Sequence, residues 1–155
     1  MEGVRRAVQA DLPRLLELYE ALKLELSEYR GRWYEIDAWP EPADVALADA
    51  IAAPDVLVMV GTIDDFVVGY AVCETSATLP QADDPILGRI RDLFVEIDAR
   101  EVSVGEALLS ACIEWLRDEG CRSADICVLP GHRAAKNFCE ENGFTARSLT
   151  MHARW

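Results

Sequence analysis

Three carboxylates, a thiol and an imidazole are the groups of this chain best suited to moving protons. Glu74, Asp92 and Glu96 fall in stretches rich in Val, Ile and aromatic residues. If these are strands, alternation puts Asp92, Phe94 and Glu96 on one face and Leu93 and Val95 on the other. Asp92 and Glu96 then look toward the same side. A carboxylate so placed can act as a general base; it can also be an ordinary ion-paired acid, with Arg91 and Arg100 close by in sequence. Cys139 carries a thiol of ordinary pKa about 8.5, close enough to neutrality for proton transfer, on what the pattern makes an apolar helix face where it can simply pack. His132 stands where that helix begins. Between residues 28 and 41, Glu28, Glu35, Asp37 and Glu41 are interleaved with Tyr29, Trp33, Tyr34 and Trp39. Acid plus aromatic surface suits a cationic amine; aromatics packed on a sheet with the acids in water is the bland alternative.

Composition excludes several classes. The chain has 155 residues, 51% of them apolar, which suits one domain over residues 1–155 with a sizeable core. The net charge of -13 repels phosphate backbones, so nucleic acid is a poor partner. No stretch approaches the ~20 apolar residues of a membrane helix, and no apolar run follows Arg5 and Arg6 as in a signal peptide. Five cysteines, at 73, 112, 121, 127 and 139, include no C-x-x-C pair. Reduced thiols in a cytoplasmic protein are expected. His132 and His152 lack i, i+4 spacing, so no metal is expected.

The elements that must position these groups follow from periodicity. Gly3 to Val8 is a short strand. Asp11 is placed to cap a helix with Pro13 in its first turn and Leu12, Leu15, Leu16, Tyr19, Leu22 and Leu26 at helical spacing. Residues 27–42 are irregular. A second helix runs from Ala43 to Ala53, where Pro54 stops it. Val56 to Ile63 and Phe66 to Thr75 form a hairpin around residues 62–65. Gly88 to Ile97 is a third long strand, with Ile90 and Phe94 on one face and Leu93 and Val95 on the other. Val104, Ala107, Leu108, Ala111, Cys112, Trp115 and Leu116 make a clean helical stripe that Gly120 ends. Ala124 to Leu129 is a short strand. A helix bearing Ala134, Ala135, Phe138 and Cys139 follows Pro130-Gly131 and closes at Asn142-Gly143. Residues 144–155 read as a last strand. Strand, helix, strand over the second half implies a parallel step; the meander before it is antiparallel. The fold class is α+β (α/β mixed), with a mostly antiparallel central sheet flanked by helices.

Two stretches of the second half carry motifs. Arg100-Glu101-Val102-Ser103-Val104-Gly105, followed by Ala107-Leu108-Leu109, lies between a strand and a helix. His132-Arg133-Ala134-Ala135-Lys136-Asn137-Phe138-Cys139-Glu140-Glu141-Asn142-Gly143-Phe144 spans the next helix. With Val4-Arg5-Arg6-Ala7 and Asp11-Leu12 at the start and Val67-Val68-Gly69-Tyr70 in the third strand, nearly the whole chain resembles the GNAT superfamily of acyl-CoA-dependent N-acyltransferases. Ser103 replaces the first glycine of the family's Gln/Arg-x-x-Gly-x-Gly/Ala turn. His132 stands in place of a frequent Asn, and Cys139 in place of a frequent Tyr.

The resemblance implies a function and a site. Acetyl-CoA would be the cofactor, with no metal. Backbone N–H groups of Glu101, Val102, Ser103, Val104, Gly105 and Glu106, at the positive end of a helix, would face its pyrophosphate beside Arg100. The fourth strand would splay from the fifth near Val95, and an N–H near Phe94 or Val95 would polarise the thioester carbonyl. His132, Ala135 and Lys136 would add cofactor contacts, and Cys139 would protonate the departing thiolate. A small-molecule or peptide amine would attack directly in a ternary complex after losing a proton to Glu96, the preferred base, or to Asp92. Tyr29, Trp33, Tyr34 and Glu74 would contact that acceptor. The resemblance also implies a homodimer. The alternative is a catalytically weak or inactive acyl-CoA-binding module, because Ser103 and Glu106 spell a capping box that would use the same N–H groups, among acids at 96, 98, 101 and 106.

Overall fold

The computed structural model describes residues 1–29 and 33–155, the side chain of Trp33 excepted. The elements are β1 (Glu2–Arg6), α1 (Leu12–Leu26), α2 (Ala43–Ala52), β2 (Val56–Ile63), β3 (Phe66–Ala77), β4 (Ile86–Val95), α3 (Val104–Asp118), β5 (Ala124–Ile126) and α4 (Arg133–Glu141). Among the described residues the strands form one sheet in the order β1-β2-β3-β4-β5. The first three pairings are antiparallel and β4/β5 is parallel. This is the mixed, mostly antiparallel sheet expected from the order of elements.

Local chemistry explains most boundaries. The β2/β3 turn holds Asp64 and Asp65 at φ 48° and 67°, a left-handed pair that matches the twist of a tight hairpin and that Asp tolerates. At the end of α3 the N–H of Gly120 donates to Arg117 O at 3.0 Å and that of Cys121 to Leu116 O at 2.9 Å, with Gly120 at φ 92°. This Schellman closure satisfies carbonyls the helix would leave bare. Gly143, at φ 86°, ends α4 in the same way, its N–H on Glu140 O at 3.1 Å and that of Phe144 on Cys139 O at 3.0 Å.

Two apolar layers cover the sheet. Leu15, Leu18, Tyr19 and Leu22 of α1 and Leu47 of α2 pack with Val58, Val60, Tyr70, Val72 and Phe94 on one face. Leu108, Leu109, Cys112 and Leu116 of α3 pack with Leu57, Met59, Ala71, Cys73, Ile90 and Val95 on the other. The start of α3 lies so close to β2 that a Cβ on Gly61 would come within 2.4 Å of Val104 Cγ1. Glycine there lets the helix N-terminus rest on the sheet.

Four expectations need correction. Ile90 does not share a face with Phe94. The β3/β4 register jumps between Val72↔Asp92 and Cys73↔Ile90, leaving Arg91 as the extra residue of a β-bulge that flips the alternation. Asp11 does not cap α1 through its side chain. It already has helical angles, and its carboxylate accepts two bonds from Arg5 (2.7 and 2.9 Å) and one from the Val8 N–H (2.8 Å). Ser103 makes no cap bond to α3; its hydroxyl donates to Glu2 Oε2 at 2.8 Å, so the capping box is absent. Residues 144–155 form no strand. The outer edge of β5 receives no backbone ladder from this segment, which is tied to it instead through the side-chain ion pair of Arg147 with Asp125. Among the described residues no helix is long and apolar enough to cross a membrane.

Candidate active site

Parallel pairing of β4 with β5 ends at Ile90↔Ile126, earlier than Val95. Beyond it β4 continues paired with β3 only, and β5 gives way to Cys127, Val128 and Leu129. The strands part around a cavity of about 400 Å³. Register decides which backbone groups face it. The Glu96 N–H donates to Val68 O at 2.9 Å, so Phe94/Tyr70 is the next hydrogen-bonded pair and the amide of Phe94 is turned to β3. Leu93 and Val95 occupy the alternate positions, opposite Ala71 and Gly69, and direct their N–H and C=O groups into the gap. The Val95 carbonyl there accepts from Arg100 Nε at 2.8 Å. Its N–H is the outward donor nearest the end of the strand. The bulge at Arg91 is what turns these two amides outward.

The gap leads to the N-terminus of α3. Gly105 and Glu106 line the cavity; Glu101 and Ser103 are exposed, Val102 is half-buried and Val104 is buried. A Cβ on Gly105 would meet the Phe138 ring at 3.4 Å, an ordinary van der Waals distance, so the first turn of α3 and α4 face each other closely across the opening. With Ser103 bonded to Glu2, no side chain caps the first-turn N–H groups. Arg100 lines the cavity but is committed: Nη1 lies 2.7 Å from Glu25 Oε1 and the guanidinium stands over Phe94.

The predicted proton-transfer groups separate. Asp92 lines the cavity. Its Oδ2 accepts from Trp39 Nε1 at 2.7 Å and from Tyr70 Oη at 2.8 Å. Burial raises its carboxyl above the ordinary aspartate value, although both hydrogen bonds pull it down. Glu96 is not among the cavity-lining residues; it is paired with Arg14 Nη2 at 2.8 Å. Arg14 in turn donates to Val67 O at 2.9 Å, so the pair ties α1 to the sheet. Cys139 is buried in the cavity wall, and burial raises its thiol above the ordinary value. His132 is buried too, stacked on Tyr29 with centroids 4.4 Å apart. Burial, then the charge of Arg100, lowers its pKa against the pull of Glu25, so the imidazole is neutral at pH 7.

The remaining predicted contacts divide similarly. Tyr34 and Ala135 line the cavity. Tyr29 reaches it only through His132. Lys136 is exposed and paired with Glu140 at 2.7 Å. Glu74 lies behind Arg89, 3.7 Å from Nη1. The side chain of Trp33 lies outside the described part of the chain. Of the four acids of residues 28–41, Asp37 lines the cavity, while Glu41 accepts from the Ala43 N–H at 3.1 Å. Sequence reasoning missed Glu25, Tyr70 and Arg91. Arg91 adjoins a candidate acid and a helical wheel puts Glu25 one turn beyond Leu22, but the partners lie far along the chain.

Comparison with solved structures gives the same architecture. An aminoglycoside N-acetyltransferase, AAC(6′)-Iy, in complex with the bisubstrate analogue CoA-S-monomethyl-acetylneamine, is 17% identical with a TM-score of 0.78 over 100% of this chain and 98% of that one. An acetyltransferase of Trypanosoma brucei is 20% identical, with a TM-score of 0.73 and full coverage of both chains (100% and 100%). A transcriptional regulator of Bacillus halodurans C-125 is 20% identical, with a TM-score of 0.77 over 99% of this chain and 100% of its own. At these identities the likeness is one of fold. No curated protein sequence matches the chain significantly. Residues 15–144 match the acetyltransferase (GNAT) family model, and the chain belongs to that family.

Proposed function

We propose that this protein is an N-acyltransferase that takes an acetyl group from acetyl-CoA and passes it to the nitrogen of a small-molecule or peptide amine by direct attack. One observation carries the reading: the outward amides of Leu93 and Val95 line a gap that runs to an α3 N-terminus without a side-chain cap. Such a donor set fits a ligand with amide groups along one arm and a diphosphate at its end. Family membership supports it, as does the CoA analogue held by the aminoglycoside N-acetyltransferase of the same fold.

Bound there, acetyl-CoA would supply an acyl thioester activated toward amines. The N–H groups from Val102 to Glu106, in the turn that leads into α3 and its first residues, would hold the diphosphate, and the helix dipole offsets part of the repulsion from the nearby carboxylates of Glu101 and Glu106. Leu93 and Val95 pair with the amide arm, while His132 and Ala135 form the opposite wall. The Leu93 N–H, farther along β4 from the α3 N-terminus than that of Val95, points where a carbonyl oxygen gains negative charge, an oxyanion-hole role. Asp92 accepts the proton from the acceptor ammonium. Its raised pKa makes it a stronger base than an exposed aspartate. Cys139, protonated because it is buried, gives its proton to the departing sulfur. Glu96, engaged by Arg14, holds α1 at the end of β4 in this scheme.

The test is a titration with millimolar acetyl-CoA at low salt, read as a thermal shift, followed by thiol release with a panel of amines. Stabilisation and amine-dependent release are expected. A melting temperature that acetyl-CoA does not move would refute the reading.

A further inference from the structure

The acceptor half of the cavity contains a cation that the chemistry above leaves unused. Arg91, the bulge residue of β4, lines the cavity with its guanidinium carbon over the Trp39 ring, 4.0 Å from the centroid. One of its five N–H donors is used, Nη2 to Ala38 O at a long 3.3 Å. Its Nε is buried with no partner. Neighbouring cations are occupied: Lys23 is 2.6 Å from Glu20, Arg100 is 2.7 Å from Glu25, and Arg89 lies 3.7 Å from Glu74. Among the described residues no carboxylate forms an ion pair with Arg91, and the one whose charge it feels is its chain neighbour Asp92.

An unpaired cation with an orphaned donor in a cavity wall is costly unless an anion completes it. Its position says which anion. Trp39 Nε1 donates to Asp92 Oδ2 at 2.7 Å, so Arg91 covers the face of the same indole whose edge holds the carboxylate that receives the amine. An acceptor nitrogen reaching Asp92 therefore comes within one ring of the guanidinium. A second ammonium on the acceptor would be repelled there. A carboxylate would take the planar fork in a two-point contact.

We propose that Arg91 selects an acceptor that carries a carboxylate a few atoms from its reactive nitrogen, as an amino acid does, rather than a diamine or polyamine. The inference rests on the acyltransferase reading of the cavity. It narrows the cationic acceptor suggested by the acids of residues 28–41, because only one of those acids lines the cavity.

The experiment measures acetyl transfer to matched pairs: lysine and cadaverine, ornithine and putrescine, phenylalanine and phenethylamine. Each amine lacks only the carboxylate of its amino acid. The wild-type protein should favour the amino acid in kcat/KM by about ten- to a hundredfold, the range of a hydrogen bond to a charged group. Arg91→Gln should level the pair, mainly through KM, and Arg91→Lys should restore part of the preference. Equal or reversed preference in the wild type, a preference that survives in Arg91→Gln, or no acetylation of any pair each overturns the inference. The wild-type ratio needs no variant to fold. A CoA thermal shift run alongside separates the two levels: if CoA stabilises the protein and the pairs fail, selection by Arg91 is wrong and the acyltransferase reading stands; if CoA does nothing, both fall.

Discussion

Replacing Asp92 with Asn separates the charge of this residue from its hydrogen bonds. Trp39 Nε1 and Tyr70 Oη both donate to one oxygen, Oδ2. An Asn carbonyl accepts the same two bonds, so Asp92→Asn should shift stability by less than about 1 kcal/mol. The sign at neutral pH should be favourable. Burial raises the folded pKa of Asp92, so the fold penalises the ionised form; that penalty is present above the raised value and vanishes below the ordinary one. Asp92→Ala leaves the Trp39 N–H and the Tyr70 O–H without an acceptor, at about 1–3 kcal/mol each. Loss of the base should lower kcat by about 10²–10⁴-fold in Asp92→Asn. The acid limb of the wild-type kcat/KM profile, which falls as Asp92 takes up a proton, should disappear in the variant. The assays are thiol release across pH and urea unfolding of both variants. Turnover within twofold of wild type would remove Asp92 from the reaction. An Asn variant as unstable as the Ala variant would refute the hydrogen-bond reasoning.

Three more outcomes follow from the same geometry. Cys139→Ala should lower kcat by about tenfold or less, below the ~10²–10⁴-fold usual for proton transfer because water can replace the thiol as donor, and an unchanged rate would exclude its thiol from the proton path. Ser103→Ala should leave stability within about 0.5 kcal/mol, because its hydroxyl serves exposed Glu2 rather than the helix; a loss near ~1 kcal/mol, usual for a deleted cap, would mean that the capping box forms in solution. His132 has a lowered folded pKa, chiefly through burial, so its contribution is present above the usual histidine value and is lost as pH falls through the lowered one. Melting temperature from about pH 7.5 to about pH 5 should therefore drop more steeply in the wild type than in His132→Gln, and parallel curves would contradict this.

The ends of α3 and α4 were legible because Gly120 and Gly143 act on carbonyls within one turn of themselves. The same locality made the hairpin at residues 62–65, the stripe from Val104 to Leu116 and the order of strands readable, along with the turn motif at residues 100–105. The site depended on distant partners. Ser103 has its hydroxyl on a residue 101 positions away, so a local capping rule failed. The acid that lines the cavity is Asp92 because Trp39 and Tyr70, 53 and 22 positions away, hold it there, while Arg14 draws Glu96 into an ion pair.

Sequence by itself determined the periodicities, the stop signals and the family, since each is a property of neighbouring residues. Only the tertiary structure decided which amides of β4 face the gap. Alternation is a rule of period two, and the single extra residue Arg91 inverts it for everything that follows, turning Leu93 and Val95 outward. Whether a strand absorbs such a residue is settled by the register of its partner, β3, and not by its own composition.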